Sequence, residues 1–312
     1  MRINIITNLA NGIGLQRDFE AVVPKLQAAG HDVAGVQFDR PGRPGLADVN
    51  LFLEVHVPHL FGFAREQWMV PNPEWCLRGW VPNLRGKFSR IFCKTPDAYR
   101  IFSELMEGTA VACIDLGWES RDLYDPAVPR ERRFLHVPGK SQNKNTAAIL
   151  RAWRDFEIPY ELTVITEHYP EAGRIPNVTR LHRIGDDELA RLMNACQFHL
   201  CPSEYEGWGH YLHEGLGCGA VVITTDAAPM NRTGAPEELL VPVAWSREHG
   251  CAALHAVTAE AIVESVTRAV AWGPEKIRET SEAARAGFLR SREDFRSRFE
   301  TAFAPTNTES VA

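Results

Sequence analysis

Residues 201–225 read CPSEYEGWGHYLHEGLGCGAVVITT. Two glutamates, Glu206 and Glu214, stand between a short apolar run ending at Pro202 and a second one at 221–225. Two such runs separated by one helical length predict strand, loop, helix, strand, the repeating unit of parallel α/β sheets. Gly207 and Gly209 allow the loop backbone to approach a ligand or to take positive φ. A helix starting near His210 would turn its free N–H groups and positive dipole end toward the strand terminus, a seat for phosphate. A carboxylate just before that helix and another inside it suit vicinal hydroxyls, because one carboxylate accepts from two O–H donors.

The same alternation runs outward in both directions. Strands are predicted near 2–7, 32–38, 49–55, 67–72, 90–95 and 110–116, then near 133–137, 162–166, 178–183, 198–202, 221–225 and 239–243. Between them, helical stripes at 3.6-residue spacing fall on Phe19, Val22, Val23 and Leu26, and on Ile149, Leu150, Trp153 and Phe156. Further stripes fall on Leu189, Leu192, Met193 and Cys196, and on Ile262, Val263, Val266 and Val270. The stretch 117–132, GWESRDLYDPAVPRER, breaks the rhythm and reads as a linker. The expected organisation is α/β, two doubly wound domains facing each other across a cleft. The domains are 1–125 and 126–290, followed by a C-terminal helix and frayed tail, 291–312, that crosses back to the first domain. The charge-rich stretch from Arg278 reads as solvated helix, with its last dozen residues frayed. In such sheets ligands bind at the carboxyl ends of the strands.

Composition narrows the function classes. With 312 residues and a formal charge of −6, the chain has no global attraction for nucleic acid or anionic membrane. Seven cysteines without a C-x-x-C pair argue against a disulfide framework or a structural zinc site and for a reducing compartment. The N-terminus lacks a signal-peptide pattern, and no apolar run is long enough to span a bilayer. A cytoplasmic protein is expected.

At this point the motifs resemble a known family. The run from Cys201 to Thr225 is similar to the signature of retaining glycosyltransferases of the GT-B fold, the glycosyl transferases group 1. IGDDELARLMNACQFHLCPS, VPGKSQNKNTAAILRAW, ACIDLGWESRDLYDP and NGIGLQRDFEAVVPKLQAAGHDV resemble further family segments, in the family's order. The resemblance implies two Rossmann-like domains, an acceptor side in 1–125 and a nucleotide-sugar donor side in 126–290. It implies transfer of a hexose from a UDP- or GDP-type donor to an acceptor hydroxyl, with retention at the anomeric carbon. Glu206 would contact the donor hexose and Glu214 the ribose, while the backbone of Gly207, Trp208, Gly209, His210 and Tyr211 would meet sugar and phosphate. Lys140 and Lys144 would neutralise the departing diphosphate; fixed cations beside a developing charge lower its barrier. With no DxD-like motif at a strand end, and Asp186–Glu188 read as a helix cap, no metal and no cofactor beyond the nucleotide sugar is expected.

The first domain offers fewer signals. Gly12 and Gly14 leave the first strand and would let that loop approach the donor. A G-x-G at this place also opens dinucleotide-binding folds, and Asp39 could then bind ribose, so an NAD(P)-dependent oxidoreductase is an alternative; Arg17 stands where its third glycine would be. His56, after the third strand, is a candidate for the reacting centre beside Glu206 and Lys144. Asn72, Glu74, Arg85 and Lys87 are candidates for the acceptor. Between 75 and 94 lie Arg78, Arg85, Lys87, Arg90 and Lys94 without an acidic residue, interleaved with Trp75, Trp80 and Phe88. This segment suits an anionic acceptor or peripheral membrane contact, and less well nucleic acid. The chain departs from the family pattern at Gly215, where alanine is usual, at Ala220, where proline is usual, and at Arg232. A non-catalytic sugar-nucleotide-binding protein is the remaining alternative.

Overall fold

The computed structural model describes residues 1–9, 14–39, 42 and 44–304. The chain forms two compact units. Unit 1 holds Met1–Glu119, His249–Ala252 and the chain from Arg292; unit 2 holds Ser120–Glu248 and Ala253–Ser291.

Unit 1 contains β1 (Arg2–Thr7), α1 (Gly14–Ala28), β2 (Asp32–Gln37), β3 (Ala47–Leu53), β4 (Ala64–Val70), α2 (Val81–Lys87), β5 (Arg90–Cys93), α3 (Pro96–Leu105) and β6 (Ala112–Asp115). Its strands form one parallel sheet in the order β2-β1-β3-β4-β5-β6. Ile3, Ile5, Leu51, Phe52, Met69 and Ile91 are fully buried in it, as expected for strands covered on both faces. One polar line crosses this apolar sheet. Asn4, Asn50 and Gln67 are register partners on β1, β3 and β4. Asn4 Nδ2 donates to Asn50 Oδ1 at 3.1 Å, and Asn50 Nδ2 to Gln67 Oε1 at 3.0 Å. The amides satisfy one another, so a slipped register would strand them.

Unit 2 contains β7 (Glu131–Gly139), α4 (Thr146–Asp155), β8 (Leu162–Thr166), β9 (Val178–Leu181), α5 (Asp186–Ala195), β10 (Cys196–Cys201), α6 (His210–Gly217) and β11 (Val221–Thr224). The ribbon β12 (Trp245–His249) and β13 (Ala252–Ala256) follows, then α7 (Ala259–Val270) and α8 (Pro274–Ala302). The parallel sheet runs β11-β10-β7-β8-β9. Phe134, Trp153 and Phe198 stack at its centre, with Ile262 and Val266 of α7 packed on the same core.

Four sequence expectations are corrected. Residues 239–243 are not a strand: only Val241 bridges to Thr225, and Pro236 and Pro242 limit the pairing. Phe156 leaves its stripe because it sits at the C-cap of α4, 45% exposed. Asp186–Glu188 do not cap the helix but form its first turn; α5 begins at Asp186 with Gly185 as its N-cap. The stretch after Arg278 is not a solvated helix. α8 buries Ile277, Ala284 and Phe288 in unit 2 and Phe295 and Phe299 in unit 1, with Phe303 just beyond its end. Phe303 stacks on Phe92 at 4.9 Å and meets Trp68 edge-on, while Phe295 lies 5.4 Å from Trp118. His31 donates from Nε2 to the carbonyl of Phe303 at 2.8 Å, so 301–304 are tied down; 305–312 lie outside the described residues.

The β12–β13 ribbon was invisible to pattern reading because β12, WSREH, is exposed along most of its length and shows no alternation. Its tip, His249–Ala252, is part of unit 1. The Cys251 amide donates to the Pro73 carbonyl at 2.9 Å, and a Cβ on Gly250 (φ +59°) would stand 2.5 Å from the carbonyl of Glu74. Only glycine fits there. All seven cysteines are free thiols. No helix among the described residues is long and apolar enough to cross a membrane.

Candidate functional site

The strand order of unit 2 places β7 beside β10, and their following segments leave to opposite sides, which opens a crevice at the carboxyl ends of these two strands. The loops after them, 140–145 and 202–209, are stitched together. The Glu204 amide donates to the Asn143 carbonyl at 3.0 Å, and Asn145 Nδ2 donates to the Pro202 carbonyl at 2.8 Å. Asn145 holds a left-handed backbone (φ +50°) to do so.

On this frame the Lys144 ammonium pairs with Glu206 Oε1, and the Ser203 hydroxyl donates to the same oxygen. Ser203 Oγ is 2.7 Å from the Tyr211 hydroxyl, and Lys144 Nζ stands 4.7 Å from the Tyr211 ring centroid. Burial raises the Tyr211 phenol well above its ordinary pKa, so it stays protonated and available as a donor. Gly209, with φ +84°, caps α6, and a Cβ there would lie 3.1 Å from Glu206 Cγ. Glycine thus lets the helix begin directly behind the glutamate. The first amides of α6 face the end of β10, an anion seat by geometry and dipole.

Glu214 lies in the second turn of α6 and is 5% exposed. Arg121 Nε donates to it at 2.7 Å, while Arg121 Nη1 reaches Asp186 at 3.1 Å. Pattern reading missed Arg121 because it lies in the irregular linker, where no period marks a residue as inward-facing. Trp208 is packed: its indole donates to Ser120 Oγ at 2.9 Å and its ring stacks on His213 at 3.8 Å. His210 Nδ1 meets the same hydroxyl at 3.0 Å. Burial pushes the His213 pKa down to about 4, leaving a neutral ring. Lys140 is not brought to Glu206; it points to Glu167 at 4.0 Å, a carboxylate that Arg183 also holds at 2.9 Å.

The Gly215 departure has a local cause. A Cβ at this position would stand 2.6 Å from His199 Nδ1, a ring fully enclosed below the helix.

In unit 1 the corresponding switch point lies between β1 and β3. Gly14 opens α1, and Gly12 lies outside the described residues. His56 follows β3, stacked on Trp80 at 5.1 Å, with Asn83 Nδ2 donating to its Nε2 at 3.1 Å. Burial lowers its pKa, so the ring is a neutral acceptor at Nε2. Asn72 is half-buried with its Oδ1 unbonded among the described residues, and Glu74 is buried beneath the ribbon tip. Arg85 caps the Glu107 carbonyl at 3.0 Å, and Lys87 is exposed. The basic segment does not act as one surface, because Lys94 is withdrawn from it. Its ammonium is 2% exposed, 2.5 Å from Asp18 and 2.7 Å from Glu54. Trp75 and Leu77 remain about half exposed.

Residues 161–283, which carry β8 through the first turns of α8, match the family model of glycosyl transferases group 1. By sequence, the likeness to that family is confined to this segment. No curated protein matches the chain significantly by sequence. Among solved structures, a glycosyltransferase from Rickettsia africae ESF-5 aligns over 99% of both chains at 11% identity with a TM-score of 0.74. Anabaena Alr3699/HepE, in complex with UDP-glucose, aligns over 97% of this chain and 98% of its own at 13% identity and a TM-score of 0.68. The chain also spans 56% of the length of a chain of the GtfA/B complex, which covers 83% of this one at 16% identity and a TM-score of 0.59. These likenesses show the fold, the GT-B arrangement of two Rossmann-like units. Glu206, Gly209, Tyr211 and Glu214 fall inside the glycosyltransferase match; Lys144 and Arg121 lie outside it.

Proposed function

We propose that the protein transfers a hexose from a UDP- or GDP-type nucleotide sugar to an acceptor hydroxyl, with retention and without a metal ion. One observation carries this reading: Lys144, Glu206 and Ser203 converge at the switch point where α6 begins behind Gly209. The complex of the Anabaena relative with UDP-glucose supports the donor class. Glu214, oriented by Arg121, accepts from the ribose hydroxyls, and Glu206 accepts from the hexose. The α6 amides and Lys144 take the diphosphate charge as the glycosidic bond breaks, so Lys144 exchanges part of its pairing with Glu206 for phosphate. The acceptor hydroxyl attacks on the face the diphosphate leaves, and a diphosphate oxygen takes its proton. His56 and the residues at 72–87 serve the acceptor, and Lys87 with Trp75 gives this side an affinity for anionic lipid. Seven free thiols support work in the reducing cytoplasm.

The test is a panel of UDP-, GDP-, ADP- and TDP-sugars, followed by nucleotide release and by NMR of the product anomer. Glu206→Ala should abolish transfer with little loss of nucleotide affinity, whereas Glu214→Ala should weaken nucleotide binding about tenfold or more. Binding of a donor without turnover with any acceptor would favour the non-catalytic reading. Full activity in both variants would overturn the assignment.

A further inference from the structure

A second concave surface lies in unit 2 at the opposite end of its strands. It is a groove of about 660 Å³ bordered by the amino-terminal ends of β7 and β10, by Gly219 and by the first half of α8. The volume suits a small organic molecule. None of its lining residues belongs to the Lys144–Glu206–Glu214 site.

Its charge is unlike that of the protein as a whole. Four arginines and one glutamate line it, in a chain of net charge −6. Two of the four are neutralised: Arg285 holds Asp122 at 2.6 Å, and Arg278 holds Glu282 at 3.1 Å. The other two, Arg130 and Arg132, have no carboxylate partner among the described residues. Arg130 donates to the carbonyls of Gly219, at 2.6 Å, and Cys218; Arg132 donates to the carbonyl of Val270 at 2.6 Å. Carbonyls orient a guanidinium without cancelling its charge. Burial accordingly lowers the Arg130 pKa, the mark of a cation held without an anion. At the same groove Gln197 is 8% exposed, and its Nε2 finds no acceptor among the described residues. Apart from the Ser281 hydroxyl, the remaining wall is largely apolar, with Ile277 buried and Leu289 and Tyr124 nearly half exposed.

We propose that this groove binds an amphiphilic anion, its phosphate or carboxylate head against Arg130 and Arg132 and its apolar body along Ile277 and Leu289. The cations supply the charge complement that the protein itself lacks there. The apolar wall explains why an inorganic ion would fill only one end.

The probe is dodecyl phosphate below its micellar concentration, titrated calorimetrically into the intact protein without nucleotide sugar, so the outcome is independent of transfer activity. Saturable binding is expected, with inorganic phosphate weaker by about tenfold or more and dodecyltrimethylammonium not binding. Arg132→Gln and Leu289→Glu alter exposed side chains and should each weaken dodecyl phosphate about tenfold while leaving the ligand-free melting temperature within a degree or two. Tighter binding of dodecanoate would assign a carboxylate head, and tighter binding of dodecyl phosphate a phosphate head. No saturable binding, equal binding of the cationic amphiphile, or undiminished affinity in both variants would overturn the proposal.

Discussion

At Gly215 a single missing methyl group records how α6 is seated. The helix runs over His199, whose Nε2 bonds the Met193 carbonyl at 3.1 Å, so the ring has no room to swing away from a Cβ that would stand 2.6 Å from Nδ1. Gly215→Ala should therefore cost about 1–3 kcal/mol, despite alanine's better helix propensity. Urea unfolding of this variant and of Gly215→Ala combined with His199→Ser would decide it: the second change should recover part of the loss, and a stable single variant would refute the clash. Residues of this kind explain what the sequence could and could not reveal. Glu206 and Glu214 were legible because glycines and aromatics crowd around them in a fixed spacing. Arg121 was not, because its importance comes from a carboxylate 93 positions away in the chain. Lys140 and Lys144 look equivalent in sequence, but the fold turns the first toward Glu167 and the second onto Glu206.

Among elements, the most consequential junction joins α1, the end of β3 and the end of β5 through Lys94. Asp18 and Glu54 converge on its ammonium, and Trp118 donates to Asp18 at 2.6 Å. Burial raises the Glu54 pKa, the nearby ammonium only partly offsetting it, while the two carboxylates hold Lys94 charged. Lys94→Met leaves both acids without their cation and should destabilise unit 1 by about 3–5 kcal/mol, measurable by denaturant titration. A loss below about 1 kcal/mol would show that the carboxylates find other partners. Strands and helices were read well wherever apolar periodicity was strong, as in β1, β8, β10 and α7. Reading failed where exposure erased the period, as in β12, and where charge hid it, as in α8. There the three phenylalanines at 295, 299 and 303 recur every four residues along a helix dominated by charged side chains.

For the whole molecule, acid should act unevenly. His136, His199 and His213 are all buried in unit 2, and desolvation lowers their pKa values to about 4, 3 and 4. Their unfolded values lie near 6.5, so below that pH the unfolded chain binds protons that the folded unit refuses. Stability is full above pH 6.5 and falls as the pH drops toward about 4, by up to about 1.4 kcal/mol per pH unit for each ring. Urea midpoints at pH 7 and pH 5, followed through Trp153 in unit 2 and Trp68 in unit 1 in variants lacking the other tryptophans, should show unit 2 weakening more. Equal shifts would contradict the assignment.

The aromatic end of α8 has a further consequence, for synthesis. Phe295, Phe299 and Phe303 complete the core of unit 1 against Trp118, Phe92 and Trp68, although about 170 residues of unit 2 are translated between the two parts. A nascent chain stalled after residue 119 would carry those tryptophans and Phe92 uncovered, exposed to chaperones and proteases. The core of unit 1 therefore stays unfinished while unit 2 is being made, and its maturation waits for the phenylalanines that follow unit 2 in the chain.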